Sequence, residues 1–265
     1  MGSMRLAPAL ARVAYATAEV LTRGQGVERV IDGERVRLPA RWARFFPRRY
    51  DPGKREFLRR HCLPGSLAID AGAHIGLYSV IMARAVGATG RVISLEPTPL
   101  TASILTRTIA LNGLEDRVTV LQQAVAQEPG RTSFTVNPGP SNANTLVGAP
   151  PPEASISVDV TTLDVVLRDE TRRVSCIKLD VEGAELRALR GAARTIERYR
   201  PALAIEVHPA LMNVGGESVT DLLALLGGAG YTTSGSELES SDRAGGGVGP
   251  FELQALHIDA AKTDR

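Results

Sequence analysis

The sequence predicts an α/β protein built on a mostly parallel β-sheet with helices on both faces. The chain has 265 residues, of which 43% are hydrophobic and 23% charged, as is usual for a globular protein with a large core. From Ser66 onward, short apolar strand patterns alternate with helical patterns. Such alternation is typical of parallel sheets, in which a helix connects each strand to the next.

The expected strands are short, apolar and bounded by turn-forming residues. They cover residues 67–71, 91–96, 118–121, 174–180, 202–207 and 251–258. The expected helices cover residues 75–86, 98–112, 184–199 and 218–226. Two segments rich in Gly, Pro or Ser interrupt the alternation at 137–152 and 234–250. We expect the first to be a loop that covers a binding site.

Residues 1–62 differ in pattern and are expected to form an N-terminal extension of the main domain, residues 63–265. Residues 1–3 have the character of a cloning remnant. A helix is expected over 6–21, followed by a hairpin over 27–38 with a turn at Asp32-Gly33. The basic, aromatic stretch at 41–50 is expected to pack onto the main domain rather than to stack on nucleic-acid bases.

Charge and cysteine content limit the partners. With 31 basic and 29 acidic residues, the net charge is +2, too small for electrostatic capture of nucleic acid or acidic lipid. The two cysteines, Cys62 and Cys176, are far apart in sequence and form no metal-binding or redox motif. We therefore expect a cytoplasmic protein with no nucleic-acid or membrane partner. The sequence leaves the oligomeric state open, a homodimer included.

Residues that follow the strands point to a nucleotide-type ligand, because ligands of open parallel sheets bind beyond the carboxyl ends of the strands. After the first strand the chain has Gly72 and Gly76, which allow a tight turn and close approach of a ligand to the backbone. A dinucleotide fingerprint would need glycine where the chain has His74 and Leu77, which disfavours a nicotinamide cofactor. Glu96 follows the second strand at the spacing of a ribose-binding carboxylate.

Four sequence blocks together resemble the FkbM family of S-adenosylmethionine-dependent methyltransferases. They are Asp70–Gly76, Glu96-Pro97, Ile177–Glu185 and Ile205–Pro209. The most specific part is Lys178-Leu179-Asp180-Val181-Glu182-Gly183-Ala184-Glu185, and the likeness covers roughly residues 63–209. It implies the class I methyltransferase fold, a Rossmann-like, mostly parallel sheet of seven strands whose last strand is antiparallel.

The resemblance also implies a site for S-adenosylmethionine. The methionine end would be framed by the first turn, with Asp70, Gly72, Ala73, His74 and Gly76. The ribose would lie at Glu96 and Pro97, and the adenine at Gln123 and Ala124. The family commonly has Asn in place of His74, so the resemblance assigns no role to that imidazole. Asp180 would face both the sulfonium and the acceptor.

The implied strand order places Asp180, Glu206 and His208 together at one rim, and two uses of these residues compete. His208 could take the acceptor's proton, oriented by a carboxylate. Alternatively, Asp180 and Glu206 could share a divalent cation such as Mg²⁺. Structural roles stand beside both, since carboxylates in a first helical turn, such as Glu182 and Glu185, stabilise the helix.

The acceptor is expected to be a hydroxyl group of a sugar-containing or polyketide-like secondary metabolite, a small glycosylated or polyhydroxylated molecule. Alternatives are N-methylation of an aminosugar, a non-catalytic nucleotide-binding protein and an NAD-dependent oxidoreductase. Phosphate-loop, nucleophile-elbow and metal-helix motifs are absent from the sequence. Acceptor contacts are expected from the 41–50 stretch, the 137–152 loop and the first turn after the fourth strand, specifically from Trp42, Tyr50, Asn142, Asn144 and Glu182.

Overall fold

A computed structural model describes residues 8–135, 155–235 and 249–259. The N-terminal extension contains helix α1 (Pro8–Leu21), strands β1 (Val27–Ile31) and β2 (Glu34–Leu38), and helices α2 (Ala40–Ala43) and α3 (Pro52–His61). The predicted hairpin is confirmed: β1 and β2 pair antiparallel, and the turn residues Asp32 and Gly33 have φ of 48° and 87°. Most of the two Gly- and Pro-rich segments, including Asn142 and Asn144, lies outside the described residues.

The main domain is built on a seven-stranded sheet. Its strands are β3 (Leu67–Ala71), β4 (Arg91–Leu95), β5 (Val118–Leu121), β9 (Val174–Leu179), β10 (Ala202–Val207), β11 (Tyr231–Ser234) and β12 (Phe251–His257). They lie in the order β11-β12-β10-β9-β3-β4-β5, and β12 alone runs in the direction opposite to the other six strands. This architecture confirms the α/β fold class and the antiparallel last strand that the resemblance implied. The short β11 was not among the strands that the sequence patterns predicted.

Helices α4 (Leu77–Ala85), α5 (Pro99–Leu111) and α10 (Val219–Gly228) match predicted helices, and two further short helices, α6 (Leu163–Val166) and α9 (Pro209–Val214), are present. The single helix predicted over 184–199 is wrong: the structure has α7 (Glu185–Arg190) and α8 (Ala193–Tyr199). The carboxylate of Asp164 accepts the backbone N–H groups of Arg194 and Thr195 at 3.0 and 2.8 Å. This cap from a remote residue starts a new helix there.

A second, three-stranded sheet lies beside the main one and was not predicted. It consists of β6 (Ala124–Val125), β7 (Gly130–Thr135) and β8 (Ser155–Thr161), in the order β6-β8-β7. Its residues Ala124 and Phe134 are buried in a small apolar cluster of their own. The predicted covering loop, 137–152, falls between β7 and β8 in sequence and lies outside the described residues.

Side-chain alternation along the strands divides the core into two layers, as a pleated sheet requires. Ala68, Val92 and Cys176 face one layer, which includes residues of α3, α4 and α5 and of the N-terminal hairpin. Leu67 and Ile177 face the other layer, which includes residues of α7, α8 and α10. Both cysteines are buried free thiols. Within the described residues, no helix combines the length and the apolar character needed to cross a membrane.

Helix α3 joins the N-terminal extension to the sheet, packing against α4, β9 and β10. It begins at the Asp51-Pro52 pair, where the Asp51 side chain accepts the backbone N–H of Lys54 at 3.0 Å. That capping signal was readable from the sequence. The ammonium of Lys54 is buried and lies 2.5 Å from Glu206 Oε2 and 3.0 Å from Glu252 Oε2. The extension therefore supplies a positive charge to the end of the sheet.

Replacing Lys54 with Met should lower the free energy of unfolding by about 3–5 kcal/mol, because it leaves Glu206 and Glu252 without their buried counter-ion. Arg59→Met is the matched control on the same helix. Arg59 is half exposed and pairs with Glu34 at 3.4 Å, so its loss should cost about 1 kcal/mol or less. Urea unfolding of both variants measures the difference. Equal losses would contradict a buried role for the Lys54 ion pairs.

Candidate active site

A cavity opens at the carboxyl ends of β3, β4, β5, β9 and β10, with about 940 Å³ of empty space that includes open solvent at its mouth. The lining residues come from the strand ends, from the small sheet and from the N-terminal extension. They are Phe46, Tyr50, Gly72, Ala73, His74, Ile75, Leu77, Tyr78, Glu96, Pro97, Gln123, Ala124, Val125, Phe134, Lys178, Asp180, Val181, Glu182 and Glu206.

The turn after β3 approaches the end of β9 so closely that only glycine fits. Gly72 has φ of 76°, and a Cβ atom at this position would collide with the carbonyl oxygen of Asp180. The N–H groups of Gly72 and Ala73 both donate to the carbonyl of Leu95, at 2.9 and 3.0 Å. Gly76 does not line the cavity. It begins α4 with φ of 91° and packs against the side chain of Leu105.

Asp70 is fully buried and does not line the cavity, and its predicted role in the cofactor site stays a prediction. Its Oδ2 accepts a hydrogen bond from Ser79 at 2.6 Å, and its Oδ1 lies 3.2 Å from the Lys178 ammonium. Lys178 donates to the carbonyl of Gly72 at 3.0 Å and lies 3.6 Å from Asp180. Burial disfavours this ammonium, but Asp70 and Asp180 outweigh it and raise the pKa of Lys178. Asp70 is thus a buried counter-ion that positions Lys178 beside the cavity.

Glu96 lies at the end of β4 with its carboxylate on the cavity. Its oxygens accept the backbone N–H groups of His74 at 3.1 Å and Thr98 at 3.0 Å. Burial raises the pKa of Glu96 to about 7, although these hydrogen bonds oppose the rise. Burial also lowers the pKa of His74 to about 4, so this imidazole is neutral at pH 7. His74 has φ of 49°, and its Nε2 has no hydrogen-bond partner among the described residues.

The three predicted rim residues, Asp180, Glu206 and His208, lie at the ends of the neighbouring strands β9 and β10. They are not equally close to the cavity. Asp180 and Glu206 line it, whereas His208 does not. His208 lies behind Glu182, with its Nε2 3.4 Å from Glu182 Oε2 and its Nδ1 2.8 Å from Oε1 of the buried Glu185. Glu182 and Glu185, to which sequence reasoning gave structural roles at least as readily as functional ones, therefore enclose the histidine.

Charge around the rim departs from the arrangement that the metal hypothesis assumed. Within the described residues, Asp180, Glu182 and His208 bring one potential ligand atom each to within 4.8 Å of one another. Glu206, the predicted partner of Asp180 in a cation site, instead has the Lys54 ammonium at 2.5 Å. The position of Lys54 could not be found from sequence spacing, because it lies 152 residues from Glu206.

Aromatic side chains form part of the cavity wall. Tyr50 lines the cavity and packs edge-on against Phe46, with ring centroids 5.0 Å apart. Tyr78, which sequence reasoning missed, lines the cavity from α4, and its ring lies 6.5 Å from that of Tyr50. Trp42 does not line the cavity. It packs against the core and stacks on Phe45 at 6.0 Å, because α2 turns its side chain toward the body of the protein.

The strand order, the antiparallel last strand and the cavity at the strand ends define a Rossmann-like fold of the class I methyltransferase type. A family model described as the methyltransferase FkbM domain matches residues 70–233, which is more than half of the chain. The chain therefore belongs to the FkbM methyltransferase family.

Two curated relatives are fungal proteins. The chain is 28% identical over 176 residues to methyltransferase sdnD of Sordaria araneosa, covering 52% of this chain and 66% of that protein. It is 27% identical over 146 residues to methyltransferase 1 of Beauveria bassiana strain ARSEF 2860, covering 48% and 58%. The matched regions thus span less than two thirds of the length of either relative.

Two solved structures illustrate the structural comparison. Methyltransferase FkbM from Methylobacillus flagellatus KT is 23% identical with a TM-score of 0.47, covering 72% of this chain and 43% of that chain. An O-methyltransferase from Bacillus cereus in complex with SAH is 12% identical with a TM-score of 0.49, covering 96% and 93%.

Gly72→Ala should lower the free energy of unfolding by more than about 4 kcal/mol, since the added methyl group meets the backbone of Asp180. Gly87→Ala is the matched control. Gly87 has φ of 73°, but no atom lies within 4 Å of its Cβ position, so only the left-handed conformation should be penalised, by about 1–2 kcal/mol. Chemical denaturation of both variants checks this. Similar losses in the two variants would contradict a close contact between the turn after β3 and the backbone of Asp180.

Proposed function

We propose that this chain is an S-adenosylmethionine-dependent methyltransferase that methylates a hydroxyl group of a small sugar-containing or polyketide-like secondary metabolite. Family membership supports the methyl transfer. The observation that carries the acceptor class is the charge of the cavity wall: apart from Glu96, which the proposal gives to the ribose, it is lined by three carboxylates, Asp180, Glu182 and Glu206. The proposal includes a reducing compartment such as the cytoplasm, which fits two free thiols.

The cavity residues fit an adenosine-containing cofactor. Glu96 presents a carboxylate at the end of the second parallel strand, where ribose hydroxyls bind in related folds. Gly72 has no Cβ in the tight space beside Asp180, and the Nε2 of the neighbouring His74 has no hydrogen-bond partner in the described part of the chain. Gln123 borders the cavity at the next strand end, where an adenine would lie. When bound, the cofactor supplies an electrophilic methyl group on a sulfonium.

The acceptor side is suited to a neutral or cationic molecule. Its only lining lysine among the described residues, Lys178, is buried and already contacts Asp70 and the carbonyl of Gly72. A phosphate or a nucleic-acid backbone would meet carboxylates and no available cation. A polyol can donate hydroxyl hydrogen bonds to the same carboxylates, while Tyr50 offers an aromatic face to its apolar side. These features support a small acceptor and disfavour nucleic acid.

Positioning is the main work of the protein residues in this proposal. Methyl transfer needs the acceptor oxygen in line with the methyl carbon and sulfur, and orientation can supply several kcal/mol of barrier reduction. Asp180 and Glu206 are placed to accept hydrogen bonds from acceptor hydroxyls. Burial opposes ionisation of Asp180, but Lys178 and Lys54 outweigh it and hold its pKa below the usual range. Asp180 therefore remains an acceptor of hydrogen bonds at neutral pH.

An amine of an aminosugar is the second candidate acceptor, because an ionised Asp180 and the neighbouring Glu206 would also attract an ammonium group. The Mg²⁺ ion predicted between these two residues stays a prediction, and Lys54 already supplies positive charge at Glu206. Activity that survives exhaustive chelation would exclude a required cation.

S-adenosylhomocysteine at about 100 times its Kd should stabilise the protein by about 2.7 kcal/mol, because it binds the folded state alone. For a chain of this size, we expect the melting temperature to rise by roughly 5–10 °C in a thermal-shift assay. NAD at the same concentration is the control and should leave the melting temperature unchanged. A shift with NAD and none with S-adenosylhomocysteine would favour the oxidoreductase alternative. Cofactor binding without methyl transfer to any acceptor would favour the non-catalytic one.

Neutral glycosides should be methylated at least tenfold more efficiently than the corresponding sugar phosphates, and aminosugars tested beside them separate O- from N-methylation. Tyr50→Ala should raise the KM for the acceptor about tenfold, or 1.4 kcal/mol, without changing the KM for the cofactor. Phe45→Ala is the control, since Phe45 is exposed and does not line the cavity. A preference for the phosphates would contradict the assignment of the acceptor class.

A further inference from the structure

Three side chains form a line from the protein interior to the cavity: Glu185, His208 and Glu182. Glu185 is fully buried, and its Oε1 lies 2.8 Å from His208 Nδ1 and accepts the N–H of Gly183 at 2.9 Å. His208 Nε2 lies 3.4 Å from Glu182 Oε2. Of these three residues only Glu182 lines the cavity. A molecule in the cavity therefore meets Glu182 before it can meet His208.

A proton on each ring nitrogen of His208 would satisfy both of its contacts with carboxylate oxygens. Neutral imidazole has one donor and one acceptor nitrogen, and an acceptor nitrogen would face a carboxylate oxygen unfavourably. The imidazolium ion can donate to Glu185 and attract Glu182 at the same time. Burial disfavours the charged ring, but the hydrogen bond to Glu185 and the charge of Glu182 outweigh it and raise the pKa of His208 to about 9. At neutral pH this ring has no free lone pair.

The backbone of Glu182 is in the left-handed conformation. Its φ is 51°, which is uncommon for a residue with a side chain. Gly183 follows with φ of 95°, and a Cβ there would lie 2.5 Å from Leu211 Cβ. Non-glycine residues in this conformation concentrate at functional sites. The turn between β9 and α7 thus places Glu182 on the cavity wall in an uncommon backbone conformation.

We propose that Glu182 is the general base of the reaction and that His208 and Glu185 are positioning residues that hold its carboxylate; this rests on the proposed function. The acceptor O–H gives its proton to a Glu182 oxygen as the acceptor oxygen bonds to the methyl carbon. The carbon–sulfur bond breaks, and its electron pair stays on sulfur as S-adenosylhomocysteine. The proton leaves Glu182 for solvent when the products depart.

The other rim residues are less suited to this role. Lys178 and Lys54 hold Asp180 ionised and make it a weak base. Glu206 is engaged by the Lys54 ammonium at 2.5 Å. For Glu182, burial raises the pKa to about 7, His208 opposes the rise, and the charges of Asp180, Glu206 and Glu185 add to it. A carboxylate with a pKa near the working pH is an effective general base.

Glu182→Gln keeps the size and polarity of the side chain but removes its basicity. We expect kcat to fall about 100-fold or more, with the KM for the cofactor and the thermal shift with S-adenosylhomocysteine unchanged. In the wild type, kcat should rise with pH through about 7, and this limb should be absent in Glu182→Gln. Glu182→Asp should restore part of the rate. Glu197→Gln, on the exposed face of α8, is the control and should behave as wild type.

His208→Gln separates the base from the positioning residue. We expect it to lower kcat by a smaller factor and to move the limb to higher pH, because the imidazolium no longer stabilises the Glu182 carboxylate. A limb near pH 9 that disappears in His208→Gln and persists in Glu182→Gln would overturn the proposal in favour of His208. Loss of activity in EDTA with recovery on adding Mg²⁺ would also overturn it, since the rim would then be a cation site.

An NMR titration of the histidine ring resonances gives a readout that needs no turnover. The resonance missing in His208→Gln identifies this ring, and in wild type it should stay doubly protonated to about pH 8 or above. Its pKa should fall in Glu182→Gln. A His208 ring that is neutral at pH 7 would overturn the inference, whereas absence of methyl transfer to every acceptor, with the titration as expected, would count against the proposed function alone.

Discussion

A single buried ammonium, that of Lys178, connects the parts of this site. It lies on the central strand β9 and contacts Asp70 on β3, the carbonyl of Gly72 in the following turn, and Asp180. A buried charge is tolerated only when it is paired and hydrogen-bonded. The geometry of both turns is therefore tied to this lysine, and so is the ionised state of Asp180, on which the proposed acceptor contacts rest.

A second ammonium, Lys54, works in the same way from the N-terminal extension. It forms ion pairs with Glu206 and Glu252 at the end of the sheet. The ring of Tyr78 is about equally far from the two lysines, 5.3 Å from Lys54 Nζ and 5.6 Å from Lys178 Nζ. The extension is thus part of the site as well as a cover for it. Without this charge, the cavity wall would carry an excess of carboxylates close together.

Local patterns were sufficient for most of the fold. The hairpin and strands β5 and β10 have the bounds that were predicted, because apolar alternation and turn residues act over a few positions. The prediction of one helix over 184–199 failed because the cap that starts α8 comes from Asp164, far away in sequence. Helix α3 was missed although Asp51-Pro52 marks its start, so in that case the signal was present and was not used.

The sequence by itself determined which residues lie at the carboxyl end of each strand. Because parallel strands end at the same edge of a sheet, Gly72, Glu96, Asp180 and Glu206 meet at one cavity. Only the tertiary structure decided their partners. It paired Lys54 with Glu206, buried Asp70 below the cavity, and set His208 behind Glu182. Pairing and burial between distant segments govern pKa values and access, and neither is encoded in the spacing of a motif.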